Sequence, residues 1–270
     1  MSIPNPSKDS TCLITGASSG IGADIARQLA ARGYNVTLAA RRIEKLRDLA
    51  QELTDEYEIE ATPIQCDVTD DQQVTKMLKT IEASGRQIDI LVNNAGMGSQ
   101  GRFADCGFES QVGQVDLNCR AIVGLTHRVV GGMIERGNGG ILVVASTAAF
   151  QPMPRQTIYA ATKAFVLSFG EALHQELSSD GIVVTTLCPG PTKTEFFGDG
   201  DMERYIESTP GFAWQSAEEV ARAGVDALFR GKRVVIPSLV NRISSLGGSY
   251  SPHFLSLKLV DRFWPVGKQD

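Results

Sequence analysis

The chain is poor in the residues that mark metal, disulfide, nucleic-acid and membrane-spanning proteins. Its three histidines, His127, His174 and His253, stand far apart with no cysteine or carboxylate at ligand spacing, so no zinc or iron site is expected. Its five cysteines, Cys12, Cys66, Cys106, Cys119 and Cys188, are odd in number and contain no CxxC pair; they read as buried thiols in a reducing cytosol rather than as a disulfide framework. Positive charge is in deficit. The 26 lysines and arginines face 31 acidic residues, a net charge of −5, whereas a phosphate backbone asks for a basic face, so no nucleic-acid partner is expected. No apolar run approaches the ~18 residues of a spanning helix, and the opening MSIPNPSKDS lacks the basic-then-apolar order of a secretion signal. A cytoplasmic protein without an integral membrane segment is the expectation.

What the chain does have is a regular alternation of two periods. Short β-branched runs at 11–15, 35–40, 60–66, 88–92, 140–145, 182–187 and 233–236 alternate with amphipathic segments whose apolar residues recur every three or four positions, such as Leu46, Leu49, Ala50 and Leu53. Strands apolar on both faces and separated by helices predict an α/β fold, a seven-stranded parallel sheet between two helical layers. With 270 residues, 42% of them hydrophobic, one domain spanning 1–270 suffices to bury a core. Two helix starts are expected from capping boxes, at Thr69-Asp70-Asp71-Gln72 and at Ser216-Ala217-Glu218-Glu219. Residues 107–136 read as one long helix that Gly113, Gly131 and Gly132 weaken.

Three constellations carry chemistry. The first strand runs into Thr15-Gly16-Ala17-Ser18-Ser19-Gly20-Ile21-Gly22 and then a helix; glycines there let a backbone approach a pyrophosphate, and the helix N-terminus attracts its charge. Taken alone, such a loop also fits a flexible turn. Tyr159 and Lys163, four residues apart on a helix, share a face, and an ammonium near a phenol lowers its pKa and tunes it for proton transfer. By spacing alone the pair also fits a surface contact. Ser146, at the carboxyl end of the fifth strand where open α/β sheets bind ligands, can hydrogen-bond a substrate oxygen. At the end of the second strand stand Arg41 and Arg42, with alanine where an acid would hold a ribose hydroxyl; they suit a 2′-phosphate, and otherwise are solvated residues before a helix.

Together the TGxxxGxG loop, Asn93-Asn94-Ala95-Gly96, Ser146 and Tyr159-x-x-x-Lys163 resemble the classical short-chain dehydrogenase/reductase family, over about residues 10–195. The resemblance implies a single Rossmann-type, doubly wound domain binding NADP(H) through Gly16, Ser18, Ser19, Gly20, Ile21, Gly22, Arg41 and Arg42. It also assigns Asp67 and Val68 to the adenine ring and Asn94, Ala95 and Gly96 to the adenosine side. Pro189, Gly190, Thr192 and Thr194 match the turn at the nicotinamide carboxamide, and Tyr159 and Lys163 are cofactor contacts too. The implied catalytic set is Asn118, Ser146, Tyr159 and Lys163, with Asn118 holding a water beside the lysine.

The function expected on this basis is NADPH-dependent transfer of hydride between a nicotinamide and a small-molecule carbonyl or alcohol, largely apolar. A 3-oxoacyl-[acyl-carrier-protein] reductase is the alternative within the enzyme class, and a non-catalytic NADP(H)-sensing or scaffold protein the alternative outside it. Glycines and aromatics between 195 and 214 suggest a mobile lid, with Phe196 and Phe197 touching substrate beside Ser146 and Tyr159. An extension over about 238–270, rich in Leu239, Val240, Ile243, Leu246, Phe254 and Trp264, is expected to pack on the body or on another subunit of a homodimer or homotetramer; substrate contact and peripheral membrane docking are its other readings.

Overall fold

A computed structural model describes residues 3–194, 211–250 and 257. Its strands are β1 Ser10–Thr15, β2 Val36–Ala40, β3 Ala61–Gln65, β4 Gln87–Asn93, β5 Gly139–Val144, β6 Ile182–Leu187 and β7 Val234–Val235. They form one sheet in the order β3-β2-β1-β4-β5-β6-β7, each neighbouring pair parallel. Its helices are α1 Gly20–Ala30, α2 Ile43–Tyr57, α3 Asp71–Ala83, α4 Phe108–Val115, α5 Ala121–Arg136, α6 Thr157–Glu176, α7 Ala217–Phe229 and α8 Leu239–Tyr250. The expected doubly wound sheet is what forms.

Strand alternation sorts the core into two layers. Cys12, Ile14, Leu38, Val92 and Leu142 face Ile25 and Leu29 of α1, Leu46 and Leu53 of α2, and Val225 and Leu228 of α7. Their sequence neighbours Leu13, Leu91, Ile141 and Val143 face Val74 and Met77 of α3, Leu125 and Val129 of α5, and Val166 of α6. Because both faces are covered, every residue of β1, β2, β5 and β6 is buried, which is why these strands read as unbroken apolar runs. The sheet grows one way from β1 through β2 and β3, and the other way from β4 onward. That reversal opens a crevice at the carboxyl ends of β1 and β4.

Local details depart from the sequence reading. The cap of α3 sits one residue later than expected: the Asp70 carboxylate, not Thr69, accepts from the Gln72 and Gln73 amides at 2.8 and 3.1 Å. A carboxylate is the stronger acceptor at a helix N-terminus. The box at Ser216 forms as expected, with Ser216 and Glu219 exchanging two 3.1 Å bonds. The long helix over 107–136 is two helices, α4 and α5, joined by a π turn at Asp116–Arg120. Cys12, Cys66 and Cys188 are buried, but Cys106 and Cys119 are half-exposed. The helix α8 turns Asn241 and Ser245 inward and leaves Leu239 and Ile243 exposed on this chain. Among the described residues no helix is long and apolar enough to cross a membrane.

Candidate active site

The crevice holds a cavity of about 860 Å³ bounded by the glycine-rich loop, the ends of β2 to β6 and the start of α8. At one end, the loop after β1 is shaped by backbone that only glycine tolerates. Gly16 and Gly20 have φ of +66° and +56°, and a Cβ on Gly16 would lie 2.8 Å from Asn94 Nδ2. A Cβ on Gly22 would run into the same amide and the Gly16 carbonyl. Asn94 holds this geometry by donating to the Thr15 and Gly16 carbonyls at 2.9 and 3.2 Å, while the Thr15 hydroxyl accepts from the Asn94 and Ala95 amides at 3.0 and 3.1 Å. Ser19 caps α1 without a side-chain bond to the first-turn amides, and Ser19, Gly20, Ile21 and Gly22 line the cavity, so this helix N-terminus borders the space where an anion would be held. Bare backbone at Gly16, Gly20 and Gly22 beside a helix N-terminus is a cradle that fits a pyrophosphate.

Arg42 reaches back over this loop. Its guanidinium donates to Ser18 Oγ at 2.9 and 3.1 Å and to Ser19 Oγ at 2.7 Å, while the Arg41 carbonyl accepts from Gln65 at 3.1 Å. Both arginines line the cavity, as do Asp67 and Val68. The Asp67 carboxylate is fixed by the Thr69 amide and hydroxyl at 2.9 and 2.7 Å.

At the other end, β5 delivers Ser146 and α6 delivers Tyr159 and Lys163. Ser146 caps a short 3-10 turn, Thr147–Phe150, its Oγ accepting from the Ala148 amide at 3.1 Å, and it shares a hydrogen bond with the Tyr159 hydroxyl. Lys163 is 3% exposed and donates to the Val144 carbonyl at 2.9 Å, with Nζ 5.8 Å from the centre of the Tyr159 ring. The π turn brings Asn118 to this group: it donates to the Met97 carbonyl at 2.8 Å and to Thr162 Oγ1 at 3.0 Å, and accepts from the Met97 amide at 3.0 Å. A Cβ on Gly96 would lie 3.3 Å from Asn118 Oδ1 and 3.5 Å from Lys163 Nζ, so Gly96, Asn118 and Lys163 form one cluster.

The electrostatics reverse one expectation. Burial pushes the Tyr159 phenol up to about 12, with only a partial counter-pull from the Ser146 hydroxyl. Burial likewise brings the Lys163 ammonium down to about 8. At neutral pH the pair is therefore a neutral phenol beside a cation, because desolvation outweighs their attraction. A neutral phenol is a proton donor.

The turn after β6 is joined to Gln215 beside the cavity. Gln215 N donates to the Pro191 carbonyl at 3.0 Å and Lys193 N to the Gln215 carbonyl at 3.2 Å. Gly190, Thr192 and Thr194 line the cavity, and Thr194 Cγ2 lies 2.9 Å from where a Gly20 Cβ would be. Phe196 and Phe197, with most of the expected lid, lie outside the described residues. Gln151, Met153, Gln156, Val240, Asn241, Ser244 and Ser245 also line the cavity and were missed by sequence reasoning. Two signals pointed to them: Gln156 stands three residues before Tyr159, and Asn241, Ser244 and Ser245 make a polar stripe in an otherwise apolar stretch.

Comparison with known proteins decides the family. Residues 10–203 match the family model described as short chain dehydrogenase. The chain belongs to the short-chain dehydrogenase family. It is 31% identical to an uncharacterized oxidoreductase of Staphylococcus saprophyticus over 82% of this chain and 92% of that one. A short-chain dehydrogenase from Sphingobium yanoikuyae, solved in complex with NADPH, superposes with a TM-score of 0.79 at 34% identity, covering 89% and 93% of the two chains. A bulky-bulky ketone specific alcohol dehydrogenase from Comamonas testosteroni does so at 0.74 and 33%, covering 88% and 90%. As a member of this family, the chain is an oxidoreductase.

Proposed function

We propose that this short-chain dehydrogenase is an NADP(H)-dependent carbonyl reductase or alcohol dehydrogenase acting on a ketone with a largely apolar body. The observation that carries this is the convergence of Ser146, Tyr159 and buried Lys163 at the end of β5, in the same cavity as a glycine cradle overlaid by Arg42. Ser146 and Tyr159 hold the substrate oxygen between two hydroxyls. Tyr159, kept neutral by burial, donates its proton to that oxygen, and the Lys163 cation stabilises the phenolate left behind. Asn118 braces the Met97 backbone against α6 and so fixes the floor under Lys163. Bound NADPH supplies the hydride for the carbonyl carbon. Arg42, with Arg41, would meet the 2′-phosphate that distinguishes NADPH from NADH; Ala40 presents no acid there.

The NADPH-bound relative and the ketone-specific one support this reading. We further propose a homodimer or homotetramer, since Phe108, Val112 and Val115 of α4 and Val123 of α5 are exposed; size-exclusion chromatography with light scattering tests it. The function itself is tested by following reduced-nicotinamide absorbance over a panel of ketones. Ketone-dependent loss of NADPH, much faster than of NADH, is expected; no loss with any ketone would overturn the reading.

A further inference from the structure

The described wall of the substrate end contains two buried polar groups with nothing to bond. Gln156 and Ser245 are each 4% exposed and line the cavity, and among the described residues Gln156 Nε2 and Ser245 Oγ have no hydrogen-bond partner. Such atoms are rare in folded proteins, because an unpaired buried donor forfeits its bond to water without replacement. Their chemistry is one-sided. An amide Nε2 only donates, and a hydroxyl can donate, so the group that completes both is an acceptor.

Their placement relates that acceptor to the reacting carbonyl. Gln156 is the N-cap of α6, three residues before Tyr159, so it enters the cavity from the end of the helix that carries the phenol. Ser245 comes from the opposite side, four residues after Asn241 on α8, whose amide donates to the Ala213 carbonyl at 3.4 Å and to Gln215 Oε1 at 3.2 Å. Asn241 also packs on the bare Gly190 backbone, where a Cβ would collide with its amide. These bonds lock the face of α8 that carries Ser245 against the cavity.

We infer that the substrate carries a second oxygen acceptor a few bonds from its reacting carbonyl, as in a keto ester, and that Gln156 and Ser245 hold it. This deepens the reductase reading and rests on it. The test compares ethyl 3-oxobutanoate with 2-heptanone, ketones with seven-atom chains that differ by the ester group, on wild type, Gln156→Leu and Ser245→Ala. The kcat/KM ratio of keto ester to ketone is compared between proteins, so the intrinsic reactivity of each carbonyl cancels. In each variant the ratio is expected to fall about three- to tenfold, the worth of one neutral hydrogen bond. An unchanged ratio, or an equal loss on both substrates, overturns the inference and leaves the two residues structural. A calorimetric titration of both ketones into NADPH-saturated Tyr159→Phe protein, with and without Ser245→Ala, separates this from the reaction. If wild type reduces neither ketone, the ketone panel decides the reductase reading and the titration decides the subsite: a preference for the keto ester lost with Ser245→Ala supports it, and no preference overturns it.

Discussion

The two ends of the cleft are built in different ways. The end under the glycine loop is made of backbone: Gly16, Gly20 and Gly22 leave space, and the Thr15 hydroxyl and Asn94 amide side chains lock the loop by bonding the main chain of the neighbouring segment. The far end is made of side chains from distant segments, Gln156 at the N-cap of α6 and Asn241 and Ser245 from α8, with Asn241 donating to Gln215 Oε1. A backbone cradle suits one invariant partner, a phosphate-bearing cofactor. A side-chain wall can be recut residue by residue for different substrates. Between the two sit Ser146, Tyr159 and Lys163, which must serve both.

If that division holds, substitutions should separate by end. The largest effect falls at the junction: Tyr159→Phe deletes the transferable proton and is expected to lower kcat by about 10²-fold or more while NADPH still binds, as steady-state kinetics and a fluorescence titration would show. Lys163→Met should also lose turnover but gain stability. The folded Lys163 titrates near 8 against an ordinary 10.5. Burying its charge therefore costs stability in full below pH 8. That cost is relieved as pH rises from 8 toward 10.5, where the folded protein has released the proton and the unfolded chain still holds it. The variant is expected to be more stable at pH 7 by up to roughly 3 kcal/mol, and to lack the wild-type rise above pH 8 in urea melts. A less stable variant would show that the bond to Val144 outweighs the buried charge.

At the cofactor end, Arg42→Ala should weaken NADPH by about 1.5–3 kcal/mol, roughly 10- to 100-fold, and NADH hardly at all. Equal losses for the two cofactors would detach Arg42 from the 2′-phosphate. The smallest effect belongs to the substrate wall. Asn241→Ala frees the Gln215 contact, and a loss of about 0.5–1.5 kcal/mol in ketone kcat/KM is expected with NADPH affinity intact. A matching drop in NADPH affinity would erase the division between the ends.

The same division governs how much could be read from the sequence. The parallel sheet was legible because both-face burial writes itself as apolar runs in β1, β2, β5 and β6, and the cradle because its glycines and Asn94 are close in sequence to the strands they follow. The π turn at Asp116–Arg120 was not, since helix periodicity cannot register one added residue per turn, and it is this turn that presents Asn118. Nor was the protonation of Tyr159: spacing reported the nearby cation, whereas desolvation, which only packing reveals, decided the direction. The inward stripe of Asn241 and Ser245 went unread because α8 exposes Leu239 and Ile243, against the usual sense of an amphipathic helix.

Isotope transfer decides whether Ser146, Tyr159 and Lys163 serve the reduction of a carbonyl by NADPH bound in the glycine cradle. NADPH carrying deuterium at both nicotinamide C4 positions is incubated with a ketone and the enzyme, and the alcohol formed is examined by mass spectrometry and proton NMR. One deuterium on the carbinol carbon is expected with wild type and essentially no labelled alcohol with Tyr159→Phe. Cofactor oxidation without label in the alcohol, or equal labelling by the variant, would contradict it.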